Sequence, residues 1–170
     1  MIDWPQIVRE HGDAVWRTAF RMLNSEADAG DCYQETFLSA YRASEKTTPQ
    51  DWRHFLIYIA TRRALDLLRQ RTRLRRRTIN SEFLDDLEGN STSGIDSIIS
   101  SESLDGFREL FAQIPEQQAA ALWMWGVEEL NYEEIARLLG VKVNHVGVLL
   151  NRAKTGLRSL LTQQSPGRRA

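Results

Sequence analysis

The chain has a single cysteine, Cys32, among its 170 residues. One thiol excludes an internal disulfide framework and a cysteine-rich zinc site, and it suits a reducing compartment. Histidine is scarce too: His11, His54 and His145 lie far apart, without the spacing that metal ligation needs. No glycine-rich loop able to cradle phosphate is present. Cys32 falls inside an expected helix with no base partner nearby in sequence, so it reads as a structural thiol rather than a nucleophile. The first residues carry no basic-then-apolar signal pattern, and no apolar run approaches the roughly 18 residues of a membrane span. The expectation is a soluble, cytoplasmic, non-enzymatic protein with no catalytic residue, metal or cofactor and no membrane insertion.

Net charge is nearly absent as well, with 22 Lys+Arg against 23 Asp+Glu. The average conceals a segregation. Residues 1–77 hold 14 basic and 10 acidic side chains, whereas 107–170 hold eight and six. Between them, 78–106 carry no Lys or Arg and seven acids: Glu82, Asp85, Asp86, Glu88, Asp96, Glu102 and Asp105. Rich in Ser, with Gly89, Gly94 and Gly106, this stretch reads as a flexible acidic linker. Residues 62–77 pack eight Arg and one Asp into 16 positions, the electrostatic footprint of a polyanion partner. Taken alone, such a run is also compatible with a solvated helix face.

The first block predicts three helices. Trp4, Ile7, Val8, His11, Val15, Ala19, Phe20 and Leu23 recur at three- and four-residue steps up to Asn24-Ser25. Asp28 fits an N-cap for a second helix reaching about Ala43, with Asp31 in its first turn and Cys32, Phe37, Ala40 and Tyr41 as apolar positions. After a polar loop over 44–50, a third helix starts near Asp51-Trp52 and buries Leu56, Ala60, Ala64, Leu67 and Leu68. Arg62, Arg69, Arg73 and Arg76 fall on its other side within an arc of about 60° at 100° per residue. Such a stripe can track a phosphate backbone. Of the aromatics at its start, Phe55 reads as core, while Trp52 serves equally as core or as a stacking surface for an unstacked base.

The last block predicts a helix-turn-helix. Ile114-Pro115-Glu116 opens a helix with proline at its first position, Leu122, Trp123 and Trp125 on its apolar side, and Gly126 at its end. Asn131 and Glu134 form a capping-box arrangement for a short helix over 132–139. Gly140 suits the left-handed turn that follows. A longer helix then runs from about Asn144 to Leu161, with Ile135, Leu139, Val141, Val146 and Leu150 between the helices. The second helix of such a motif can enter a major groove. The architecture expected is all-α, two small helical domains at 1–77 and 107–163 around a linker at 78–106, with a flexible tail at 164–170.

These residues also carry a resemblance. Asp28-Ala29-Gly30-Asp31-Cys32-Tyr33-Gln34-Glu35-Thr36-Phe37-Leu38-Ser39-Ala40-Tyr41 resembles the region-two helix of the extracytoplasmic-function sigma factors of bacterial RNA polymerase. Phe55-Leu56-Ile57-Tyr58-Ile59-Ala60 and Ala64-Leu65-Asp66-Leu67-Leu68-Arg69 resemble that family's promoter-melting helix. Ile114-Pro115-Glu116-Gln117 and Asn131-Tyr132-Glu133-Glu134-Ile135-Ala136-Arg137-Leu138-Leu139-Gly140-Val141 resemble its region four. The three stand in the family's order and at its spacing.

The resemblance implies a factor that binds core polymerase through its β′ and β subunits, melts a −10 element and recognises a −35 element. It assigns core binding to Asp31, Gln34, Glu35 and Phe37, although the residues alone favour Phe37 as core and the acids as solvated. It assigns −10 DNA to Lys46, Trp52, Arg62, Arg69, Arg73 and Arg76, with the loop at 46–52 capturing a flipped base. That loop is unlike the common Phe-x-Gly version, and Arg62 stands where many members have Asn. For the −35 element it leaves Asn144, His145, Asn151, Arg152 and Lys154. The recognition helix departs from the usual Gly-Thr-Val-Lys-Ser-Arg-Leu: here Gly147 and Leu149 replace the basic pair and Val148 the hydroxyl. In a standard helix-turn-helix Val148 and Leu149 face outward, toward thymine methyls or a protein partner; a rotated helix makes them core. An anti-sigma factor is a further implied partner. The alternative is a sigma-like interaction protein that binds polymerase or an anti-sigma factor with weakened −35 recognition.

Overall fold

In the computed structural model of the chain, the described residues are 1–79 and 101–164. They form seven helices: α1 (Trp4–Leu23), α2 (Glu26–Ser44), α3 (Trp52–Ile79), α4 (Ser101–Ala112), α5 (Glu116–Gly126), α6 (Tyr132–Leu139) and α7 (Val143–Gln164). Of the expected linker, 80–100 lie outside the described residues, and its flanks at 78–79 and 101–106 belong to α3 and α4. The expected tail keeps only Gln164, the last residue of α7, inside the description.

Local chemistry accounts for the helix ends. Asp3 caps α1 by accepting from the Gln6 N–H at 3.0 Å, and Asn24 closes it in the left-handed region at φ 48°. The N-cap of α2 is Ser25, whose hydroxyl accepts from the Asp28 N–H at 3.3 Å, and not Asp28 as the sequence suggested. The Asp28 carboxylate is instead drawn to Arg71 of α3. Asp51 begins α3 by accepting from the His54 N–H at 2.9 Å. Pro115 sits one position earlier than expected, as the N-cap of α5 rather than its first residue. On α6 both halves of the capping box form, Glu134 N–H to Asn131 at 2.9 Å and Asn131 N–H to Glu134 at 2.8 Å, and Gly140 ends the helix at φ 66°.

Helices α1, α2 and α3 pack on one another, and α4, α5 and α6 each meet α3. One hydrophobic cluster therefore runs through both expected units, joining Met22, Leu23, Leu65 and Leu68 to Phe111, Ile114, Trp123, Met124, Ile135, Val146 and Leu150. A second cluster, around Ile7, Val15, Ala40, Leu56 and Ala60, fills the far end of the first three helices. There α1 and α2 approach closely: a Cβ on Gly12 would stand 2.7 Å from the Tyr33 hydroxyl. Most expected core positions are buried or half-buried. Tyr41 is one correction, 50% exposed with its ring resting on Trp4 at the edge of the cluster.

Polar contacts bind the two parts as well. The last carbonyls of α1 lack partners within the helix, and arginines from elsewhere supply them. Arg108 of α4 donates across to Met22 O and Arg21 O, both at 3.1 Å, while Arg71 of α3, within the first part, donates to Leu23 O at 2.7 Å. Thr18 of α1 donates to Glu128 at 2.6 Å, and the same carboxylate accepts from Trp123 Nε1 at 3.1 Å. Helix α4, with Phe107, Leu110 and Phe111 at helical spacing, has no counterpart in the sequence reading. Among the described residues no helix is long and apolar enough to cross a membrane.

Candidate nucleic-acid interface

The outer face of α3 carries the arginine stripe, and its four members stand in different surroundings. Arg73 and Arg76 are exposed. Arg62 and Arg69, further back, are engaged by the start of α5. Arg62 Nε donates to the Glu116 carboxylate, its Nη1 reaches the Tyr58 hydroxyl at 3.4 Å, and the guanidinium lies 5.7 Å from the Tyr58 ring centroid. Burial works against the Arg62 charge, but the bonds to Glu116 and Tyr58 outweigh it and hold the guanidinium above its ordinary pKa. Arg69 donates to Ile114 O at 2.8 Å and Ala112 O at 3.3 Å, and its Nη1 lies 3.8 Å from the other Glu116 oxygen. Sequence reasoning placed these arginines on one face. It missed Glu116 as their partner, because no local signal reports a contact across 54 positions.

At the head of α3, Lys46 is exposed on the loop, and Trp52 is half-buried with its ring edge-on to Trp4 at 5.3 Å. Phe55 packs in the same cluster, as expected. The loop borders a cleft of about 320 Å³ against α6, lined by Thr47, Pro49, Gln50, His54, Glu134 and Arg137. Across it Arg137 donates to Gln50 at 3.2 Å, and His54 Nδ1 lies 3.5 Å from Glu134 and 3.4 Å from Asp51.

Helix α2 presents Asp31 and Gln34 to solvent on its outward face. Glu35 is half-buried, 3.1 Å from Arg63 and 3.8 Å from Arg42, and accepts from Ser39. Phe37 packs inward against Tyr33, with ring centroids 5.0 Å apart. Cys32, on the inner face, donates to Ala60 O at 3.5 Å, and burial pushes its thiol up to about 11.

On α7, Asn144, His145, Asn151 and Arg152 are exposed together. Lys154 folds back, its Nζ 4.3 Å from the Trp125 ring centroid, a cation–π contact. Trp125, expected on the apolar side of α5, is 40% exposed rather than core. The two apolar replacements divide: Val148 is 41% exposed on the outward face, whereas Leu149 is 4% exposed inside the main cluster. The outward expectation thus fails for Leu149, because α7 is covered on that side by the rest of the helical core. Tyr132 lies over the space beside Gly147, at 3.7 Å from where a Cβ would be.

Comparison with known proteins fits this geometry. The family profile for Sigma-70 region 2 matches residues 7–74, and that for Sigma-70, region 4 matches 104–157. The chain is 30% identical over 165 residues to the ECF RNA polymerase sigma factor SigE of Mycolicibacterium smegmatis, covering 97% of this chain and 64% of that protein's length. It is 30% identical over 135 residues to the ferric citrate uptake sigma factor FecI of Escherichia coli, covering 77% of this chain and 73% of that one. The fold is similar to that of CnrH solved in complex with the cytosolic domain of CnrY, with a TM-score of 0.60 at 22% identity over 95% of this chain and 89% of the other.

Proposed function

The chain belongs to the sigma-70 family, in its extracytoplasmic-function branch, and from that premise we propose that it directs RNA polymerase to promoters in the cytoplasm without catalysing a reaction itself. The region-two unit carries α1 to α3 and the region-four unit α4 to α7, with the acidic stretch between α3 and α4 as their tether. On the outward face of α2, the Asp31 carboxylate and the Gln34 amide, with the Glu35 carboxylate beside them, meet the β′ subunit of the core enzyme, and Phe37 supports their helix from inside. Exposed acids on a rigid helix suit a basic helical partner.

Helix α3 and the loop before it take the −10 element. Lys46 and Trp52 receive a base flipped from the melted strand, and Arg62, Arg69, Arg73 and Arg76 hold phosphates. Unstacking costs a few kcal/mol per step, which base capture and arginine–phosphate bonds together offset. Helix α7 meets the −35 element through Asn144, His145, Asn151 and Arg152, with Lys154 recruited from Trp125 on DNA. An anti-sigma factor is a further partner, as NepR is for the sigma factor RpoE of Bartonella quintana. The observation that carries the reading is the pair of family matches, the first of which, at 7–74, contains Arg62, Arg69 and Arg73 of the stripe on α3. Run-off transcription with purified core polymerase and fragments of the chain's own genome tests it: specific transcripts are expected.

The recognition helix favours a second reading, an interaction protein that binds polymerase or an anti-sigma factor and reads the −35 element weakly. Leu149 is spent on the core, Lys154 on Trp125, and Gly147 brings no side chain. Core binding without any transcript would support that reading over the first.

A further inference from the structure

The stripe that the proposed function gives to promoter phosphates is half covered by the chain itself. One carboxylate, Glu116, stands between two of its four arginines, bonded to Arg62 and 3.8 Å from Arg69. The backbone just before it completes the cover, since Ala112 O and Ile114 O accept from Arg69. Two further contacts reach the loop at the head of α3, Arg137 to Gln50 at 3.2 Å and Glu134 to His54 at 3.5 Å. Every group applied to this face comes from the unit that carries α4 to α7. A carboxylate and a phosphate make the same charge-assisted bonds to a guanidinium, so Glu116 occupies the sites a DNA strand would need.

We propose that this contact is an intramolecular latch, in which Glu116 stands in for a promoter phosphate on Arg62 and Arg69 and makes closure and −10 binding mutually exclusive. The inference rests on the −10 assignment of the stripe. DNA and latch compete for the same guanidiniums, so the region-four unit must leave α3 before the strand can lie along it. Arg73 and Arg76 lie outside the cover and offer a first foothold for phosphate while the latch is closed. The shared apolar cluster and the ion pairs hold the closed form together, so opening is a separation of packed helices rather than a side-chain movement. Separation of the two units then exposes all four arginines of the stripe together.

The test uses the full chain, free and with core polymerase. Binding of a fluorescent single strand of about 12 nucleotides and mixed sequence is measured for the free protein, for Glu116→Gln and for Glu133→Gln. Glu133 is exposed on α6 and takes part in none of the contacts above, so its variant removes the same charge without touching the latch. Spin labels on Ala43→Cys and Ser159→Cys, both exposed, report the distance between α2 and α7. The latch predicts that Glu116→Gln tightens oligonucleotide binding by about threefold to tenfold, that Glu133→Gln changes it by less than about twofold, and that only Glu116→Gln adds a longer-distance population. Arg62→Glu alone should lengthen the distance too, and combining it with Glu116→Arg should restore the short one. Equal effects of the two Glu variants, or an unchanged distance in Glu116→Gln and Arg62→Glu, would overturn the latch. In either case wild-type transcripts with core polymerase leave the promoter-reading function standing, whereas their absence counts against that function and not against the closed geometry.

Discussion

Arg69 and Arg73 share one stripe but differ in what holds them, and a pair of alanine variants separates structure from DNA contact. Arg69 is 23% exposed and donates to two backbone carbonyls in the turn between α4 and α5. A hydrogen bond involving a charged group contributes about 1.5–3 kcal/mol. Water reaches the carbonyls once the side chain is gone, which returns part of the loss, so Arg69→Ala should destabilise the chain by about 1–2 kcal/mol. Arg73 is exposed and makes one long bond among the described residues, donating over 3.4 Å to Arg69 O one turn back. Its truncation should stay within about 0.5 kcal/mol. At about 2–4 °C per kcal/mol for a chain of this size, thermal unfolding should fall by about 2–8 °C for Arg69→Ala and by under about 2 °C for Arg73→Ala. Both together should abolish promoter opening, read by permanganate reactivity of unpaired thymines, while core binding persists. Equal melting shifts for the two single variants would refute the assignment of Arg69 to the α4–α5 turn. Loss of core binding in the double variant would refute the division of roles between α2 and α3.

Other predictions follow from single residues. The raised thiol of Cys32 keeps it neutral at physiological pH, so alkylation of the native chain should be far slower than of the unfolded chain. Because its folded pKa of about 11 lies above the unfolded value, its contribution is intact below about pH 9 and is lost as pH rises toward 11; a Cys32→Ala variant should show a correspondingly flatter alkaline fall in stability in chemical denaturation. Glu129 sits at φ 58° in the left-handed region, so Glu129→Gly should raise stability by about 1 kcal/mol in the same assay, less any added flexibility of the unfolded chain. Leu149→Arg, which restores the basic residue usual in the family, should cost about 3 kcal/mol or more because it buries an unpaired charge. Val148→Ser, on the exposed face, should leave the melting temperature within about 2 °C.

What could be read from sequence was local. The Asn131–Glu134 capping box, the turn at Gly140 and the arc of Arg62, Arg69, Arg73 and Arg76 depend on residues a few positions apart, where helix geometry alone sets the relation. The cap of α2 was ambiguous for the same reason: Ser25 and Asp28 both suit the role, and the choice falls to Ser25 because Arg71, 43 positions away, takes the Asp28 carboxylate. Likewise the sequence left Leu149 open between an outward and a core position and read Lys154 as outward, until the core and Trp125 claim them. Helix α4 escaped notice because its first turns lie in the acidic, serine-rich stretch, although Phe107, Leu110 and Phe111 carry helical spacing. Glu116 was visible as part of a motif, but its pairing with Arg62 and Arg69 is a property of the assembled fold. The charge segregation was informative about partners and silent about the contact that covers half the stripe.

The central claim is that this chain turns core polymerase into a promoter-specific enzyme. Run-off transcription with core polymerase, the wild-type chain and its own genomic fragments measures that directly. The account predicts discrete transcripts that vanish with Arg69→Ala combined with Arg73→Ala. Stable core binding with no transcript from any fragment would contradict it.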